Sequence, residues 1–173
     1  IFVNGELAPG NYKNIITIGL MVREFDWAEN FIQNYTHRLP KANQDNDRNY
    51  NLAKVYFFTG QYEKVIEQLR EVEYKNLDYS LGGKLMLLKT YYELQEYRAL
   101  DSMMDSFRIY LRRNRIISRE VKQQYMNVLR FVKKLALTAP YDKKSIAKIK
   151  EQINNCKALA DKQWILQKVA ERE

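Results

Sequence analysis

Between Tyr50 and Leu69 the chain reads YNLAKVYFFTGQYEKVIEQL, with apolar positions at intervals of three and four on both sides of one break. Leu52, Val55, Tyr56 and Thr59 mark a helical face before it, and Tyr62, Val65, Ile66, Leu69 and Val72 mark another after it. Gly60 stands at the break. Only glycine enters the left-handed C-terminal conformation without steric cost, so the pattern predicts a helix that stops at Gly60 and a second that starts at once. Together they make a helical hairpin with a very short turn.

The same pattern recurs. Tyr97 follows Tyr62 by 35 positions, and Trp27 precedes it by 35. The stretches EFDWAENFI, TGQYEKVIEQL and LQEYRALDSMM each place an aromatic and then an apolar helical face after a short turn. IITIGLMV, YNLAKVYFF and LMLLKTYYEL precede those turns, and Ile18-Gly19, Leu52-Ala53 and Leu87-Leu88 align at separations of 34 and 35. This alignment puts either Trp27 or Ala28 in the aromatic position of the first unit. Three hairpins are predicted over residues 11–114, after an N-terminal extension at 1–10.

These residues resemble the tetratricopeptide (TPR) repeat. Leu52, Ala53, Tyr56, Gly60 and Tyr62 match its Leu with a small residue, its Tyr, and its Gly before an aromatic. Val65 stands where Ala is usual, no Pro closes the repeat near Leu77, and Leu88 and Gln95 replace the small residue and the Gly of the third unit. The resemblance covers about 100 of the 173 residues. The whole chain also resembles uncharacterised bacterial TPR-like proteins, which implies no activity. The family implies an all-α solenoid of stacked hairpins in which each first helix lines a concave groove that holds peptides. Carried over by motif, the groove positions are Tyr50, Lys54, Phe57 and Phe58 in the middle unit, and Leu85, Lys89, Tyr92 and Glu93 in the third. Lys54 and Lys89 lie 35 apart, so neighbouring helices would present two ammonium groups between aromatic walls. That suits an acidic or C-terminal peptide. Tyr56, Tyr62, Tyr91 and Tyr97 fall on the positions that pack hairpins together.

Past Asn114 the period fails. Ser118 is placed to cap a helix running to about Leu137, with Val121, Tyr125, Val128, Val132 and Leu135 on its apolar face. TAPYD breaks the chain at Pro140. Asp142 is then placed to cap a last helix carrying Ile146, Ile149, Ile153, Cys156 and Ala160, extended by Trp164, Ile165 and Val169 after a bend near Asp161. Residues 115–173 thus form two or three longer helices suited to cap the array within the same compact unit, since a repeat stack exposes its last apolar face unless something covers it.

Composition sharpens this picture. Apolar residues make up 46 %, enough for a core, and six Gly with three Pro are too few for a many-turned β fold. No apolar run approaches the roughly 18 residues of a membrane span. The start, IFVNGELAPG, carries neither Met nor a leader-like pattern, which suggests a fragment and, with a single Cys, a cytoplasmic setting. Charge is uneven: residues 1–107 carry 12 Lys/Arg against 15 Asp/Glu, and residues 108–173 carry 17 against 6. Arg112, Arg113, Arg115 and Arg119, beside Tyr110, therefore offer an alternative function, nucleic-acid or polyanion binding.

No catalytic set, metal site or cofactor motif emerges. His37 and Cys156 are the only residues of their kinds and lack convergent partners. Cys156 reads as a buried inert thiol on an apolar stripe. Glu63, Glu67 and Glu71 read as one solvated helix face. Gly82-Gly83 has neither the spacing nor the preceding strand of a phosphate loop; it reads as a loosened helix start or a close helix approach. The expectation is a noncatalytic scaffold that binds a protein or peptide partner.

Overall fold

A computed structural model describes residues 2–3, 5–74, 76–139 and 141–173, with the backbone alone at 2 and 3. It is all-helical apart from a two-residue antiparallel ladder that pairs Phe2–Val3 (β1) with Glu6–Leu7 (β2). Nine α-helices lie among the described residues: α1 Pro9–Met21, α2 Phe25–Tyr35, α3 Gln44–Phe58, α4 Tyr62–Arg70, α5 Leu77–Glu93, α6 Tyr97–Arg113, α7 Arg119–Leu137, α8 Lys143–Asn155 and α9 Lys162–Ala170. The chain divides into two compact units, Ile1–Leu94 and Gln95–Glu173, a division that falls within the span expected for the third hairpin.

In the first unit α1 packs on α2 and α3, and α3 packs on α2, α4 and α5. The reason lies in spacing. Tyr12, Ile16 and Leu20 recur every four residues along α1, Ala28 and Ile32 do so along α2, and all five are buried with Leu52 and Val55 of α3. A second cluster joins Tyr50 and Ala53 of α3 to Val65 and Leu69 of α4 and Met86 of α5. Tyr56 packs against both. Each such aliphatic side chain contributes about 1.5–3 kcal/mol by leaving water.

The turns fix the true register. Arg23, Gly60 and Gln95 all take left-handed φ, at 65°, 72° and 56°. The next residues, Glu24, Gln61 and Glu96, share φ near −85° and ψ near 65°. Phe25, Tyr62 and Tyr97 then open the following helices. Phe25, not Trp27 or Ala28, thus occupies the aromatic position of the first unit. Its separation from Tyr62 is 37, because a 3-10 turn at Thr36–Arg38 and the Pro40 segment lengthen the connection to α3. Ile15-Ile16, rather than Ile18-Gly19, accordingly matches Leu52-Ala53 and Leu87-Leu88. Ala28, Val65 and Leu100 then share one buried position. Tyr97 is exposed instead of packed, and Tyr56, Tyr62 and Tyr91 are half-buried.

In the second unit α7 is the central element, touching α6, α8 and α9. Val128, Leu129, Phe131, Val132 and Leu135 are all buried, so its middle is apolar on more than one side. The expected caps are present: Ser118 accepts from the Val121 N–H at 3.3 Å, and Asp142 accepts from the Ser145 N–H at 3.0 Å. The break expected at Pro140 lies outside the described residues; Tyr141 just after it has φ 71°. The last predicted helix is two helices. α8 stops at Asn155, Cys156 is extended, and Asp161 turns left-handed at φ 47° before α9. The Lys162 ammonium donates to the carbonyls of Asn154 and Cys156, satisfying the end of α8. Cys156 is consequently half-buried, not a core thiol on a continuous stripe.

Candidate functional site

With the register corrected, Thr17, Lys54 and Lys89 hold the same position on α1, α3 and α5. The first two touch: the Lys54 ammonium donates to Thr17 Oγ1 at 2.8 Å, and that hydroxyl donates to the Lys13 carbonyl at 2.8 Å. Burial, helped by the nearby Lys13 charge, pushes the Lys54 ammonium down to about 8. Lys89 lies over the Phe57 ring, 4.4 Å from its centroid. Lys13 reaches within 4.0 Å of the Asp78 carboxylate on α5, so side chains of α1 and α5 come together at one end of the face they share with α3. Both partners are substantially exposed, and such a pair holds by about 0–1 kcal/mol at most. Burial also lowers the Lys84 ammonium.

The expected aromatic walls are arranged differently. Tyr50 is only 7 % exposed, with its ring edge-on to Tyr79 at 4.5 Å and its hydroxyl where a side chain at residue 82 would stand. It is a packing residue between α3 and α5, and Gly82 is the glycine that admits it. That is the close helix approach allowed for the Gly82-Gly83 pair. Tyr92 is likewise withdrawn, 9 % exposed. Phe58 is 55 % exposed and stacks on Phe25 of α2 at 6.3 Å. Phe57 meets Phe58, Tyr62 and Lys89, and Leu85 is half-buried. The side chains gathered near the row are therefore Lys13, Thr17, Lys54, Phe57, Asp78 and Lys89. Sequence reasoning misses Thr17 because the first unit aligns three residues out of register by pattern alone, and it misses Lys13 and Asp78 because no spacing along the chain shows that α1 and α5 bring them together.

Beneath this face Asp47 and Asn51 are buried one turn apart on α3. Asn51 Nδ2 donates to the Asp47 carbonyl, while Asp47 Oδ2 and Asn51 Oδ1 find no hydrogen-bond partner among the described residues. Burial raises the Asp47 carboxyl to about 6, against the smaller lowering effects of an Asn43 hydrogen bond and the Lys13 charge.

Elsewhere on the first unit, an apolar cleft of about 450 Å³ opens between α1 and α2, lined by Ile15, Ile18, Gly19, Val22, Glu24 and Trp27. A Cβ at Gly19 would stand 3.1 Å from the Trp27 ring, a tight contact that the ring would have to yield to.

The arginines of the polyanion alternative are all exposed and gather at one corner: Arg112 and Arg113 end α6, Arg115 lies in the connection, and Arg119 opens α7. His37 is exposed in the 3-10 turn, and Glu63, Glu67 and Glu71 are solvated. Among the described residues no three His, Cys, Asp or Glu side chains gather to hold a metal ion. No helix among them is long and apolar enough to cross a membrane. Comparison of the chain with protein-family models, with curated proteins and with solved structures gives no match.

Proposed function

We propose that residues 1–94 are a noncatalytic protein-interaction scaffold, a TPR-like stack whose first helices α1, α3 and α5 hold a partner peptide in a shared groove. The observation that carries this reading is the row Thr17–Lys54–Lys89 with its half-desolvated Lys54 ammonium. A charge held out of water without a carboxylate costs free energy, and a partner's carboxylate arriving there offsets that cost. Lys89 and Phe57 supply a second charge and an apolar surface one helix away. The partner segment is acidic and partly apolar, since exposed ion pairs alone give little affinity. Asp78, 4.0 Å from Lys13, is an internal carboxylate that such a segment would displace.

The test is capture of binding proteins from native lysate by the intact chain and by Lys54→Gln/Lys89→Gln. Partners retained by the wild type are lost by the double variant, with helicity unchanged. Retention of every partner sinks the reading. The alternative, polyanion binding at Arg112, Arg113, Arg115 and Arg119, is supported by their common exposure at the α6–α7 corner. It requires that DNA or RNA be retained at low salt and released by removing those four charges.

A further inference from the structure

The second unit has a cleft that neither reading uses. About 500 Å³ in volume, it lies along the outer side of α7 against Arg108 of α6, a size within the roughly 300–1,000 Å³ of ligand pockets. Met126, Leu129 and Leu137 give it apolar lining, and Arg108, Arg130, Lys133 and Lys134 line it beside them. Among the described residues no carboxylate lines it. The sequence reinforces the imbalance: from Ser106 to Tyr141 there are nine Lys/Arg and one acid, Glu120. Some of this charge is engaged, because Arg108 pairs with Asp105 at 2.6 Å, Lys134 donates to Gln152 at 2.5 Å, and Arg130 lies 4.6 Å from the Phe131 ring centroid. Arg130 and Lys133 remain exposed to solvent, as does Leu137, at 76 %.

The spacing shapes the occupant. Gln123, Met126, Arg130, Lys133 and Leu137 follow one another at three and four along α7, a single stripe about 20 Å long. Its apolar residues lie among cations, and among the described residues no aromatic ring lines it to stack a base. A flat bilayer does not enter a concave cleft, and a phosphate backbone leaves its apolar lining uncontacted. An amphipathic helix satisfies both components at once.

We infer that the α6–α7 face is a second docking site, for an acidic amphipathic helix of a protein partner. About four turns of that helix lie along α7, its apolar stripe against Met126, Leu129 and Leu137 and its Asp and Glu side chains against Arg108, Arg130 and Lys133.

The test uses the intact chain and labelled four-turn peptides: one with a leucine stripe flanked by Glu, one with Gln for every Glu, and one with the first composition scrambled. Short single-stranded RNA and phosphatidylglycerol vesicles serve as competing probes. The Glu-flanked peptide binds, and the Gln and scrambled peptides bind at least about tenfold more weakly. Arg130→Glu/Lys133→Glu weakens binding about tenfold or more, and Leu137→Ser weakens it without a change of charge. Lys143→Glu/Lys144→Glu, an equal charge change on exposed residues of α8, alters it by less than about threefold. The inference is overturned if the scrambled peptide binds as tightly, or if the two charge reversals act alike. It is equally overturned if RNA or vesicles, and not the peptide, bind in a manner that depends on Arg130 and Lys133. Lys54→Gln/Lys89→Gln is expected to leave this binding intact, which separates failure here from failure of the groove.

Discussion

Asp47 is a carboxyl only 2 % exposed, with an oxygen that finds no donor among the described residues. Its folded value of about 6 lies above the ordinary 3.8, so folding favours the protonated form. The stabilisation this gives is complete below about 3.8 and is lost as pH rises through about 6. By neutral pH the ionised group costs on the order of 2–3 kcal/mol. Asp47→Asn supplies an N–H in place of the orphaned oxygen and does not titrate. Thermal melts from about pH 4 to pH 7.5 are therefore expected to fall for the wild type and stay level for the variant, which is the more stable of the two at neutral pH. Parallel curves would remove Asp47 as the cause. Lys54 has the opposite sign. Its folded value of about 8 lies below the ordinary 10.5, so its contribution is present above 10.5 and is lost as pH falls through 8. At pH 7 the charged amine is a cost, and Lys54→Met is expected to raise stability by about 1–3 kcal/mol while destroying capture of the partner. A variant that melts at or below the wild-type temperature at neutral pH shows instead that Lys54 is structural.

Three short turns join six helices in consecutive pairs, and glycine fills only one of them. At Gly60 an added Cβ would meet nothing within 4 Å, so the cost of a side chain there is one of backbone conformation alone. Gly60→Val is expected to lower stability by more than about 1 kcal/mol. Gln95 sits at the equivalent turn with φ 56°, and Gln95→Gly relieves the strain that Gly60 avoids. Because glycine also loosens the unfolded chain, the net gain is no more than about 0.5–1 kcal/mol. Denaturant midpoints, read at unchanged slope, check both; midpoints that move the other way discard the shared turn geometry. These positions also show what the sequence discloses. Gly60 announces its turn because the residue type matches the backbone, whereas Arg23 and Gln95 adopt the same backbone without the matching residue. Trp27 was misplaced for that reason: with no glycine to mark the first turn, a large aromatic 35 positions before Tyr62 outweighs Phe25 at 37. Tyr50 escapes such a reading because helical spacing says which residues share a face, but not that Gly82 on α5 admits a neighbour's ring. The caps at Ser118 and Asp142 were legible, since side-chain capping is local chemistry.

The two units differ in charge as they do in proposed partners. Residues 1–94 carry 11 Lys/Arg against 12 Asp/Glu, and residues 95–173 carry 18 against 9. The lysine row belongs to the near-neutral unit, and Lys54 within it is half-desolvated. The arginines and lysines around the α6–α7 cleft belong to the basic unit, and Arg130 and Lys133 are exposed. Salt acts unequally on these two settings. The screening length falls from about 10 Å at 0.1 M to about 3 Å at 1 M, which quenches exposed charges and leaves desolvated ones much less affected. Association through the α6–α7 face is therefore expected to weaken by about tenfold or more over that range, while capture through Lys54 and Lys89 weakens by less than about threefold. Fluorescence titrations of each peptide class across the salt series, repeated with Lys54→Gln/Lys89→Gln and with Arg130→Glu/Lys133→Glu, assign each slope to its site. If the two associations lose affinity in parallel, Lys54 is as solvated as the surface arginines when its partner is bound, and the half-desolvated charge that carries the groove reading plays no part in recognition.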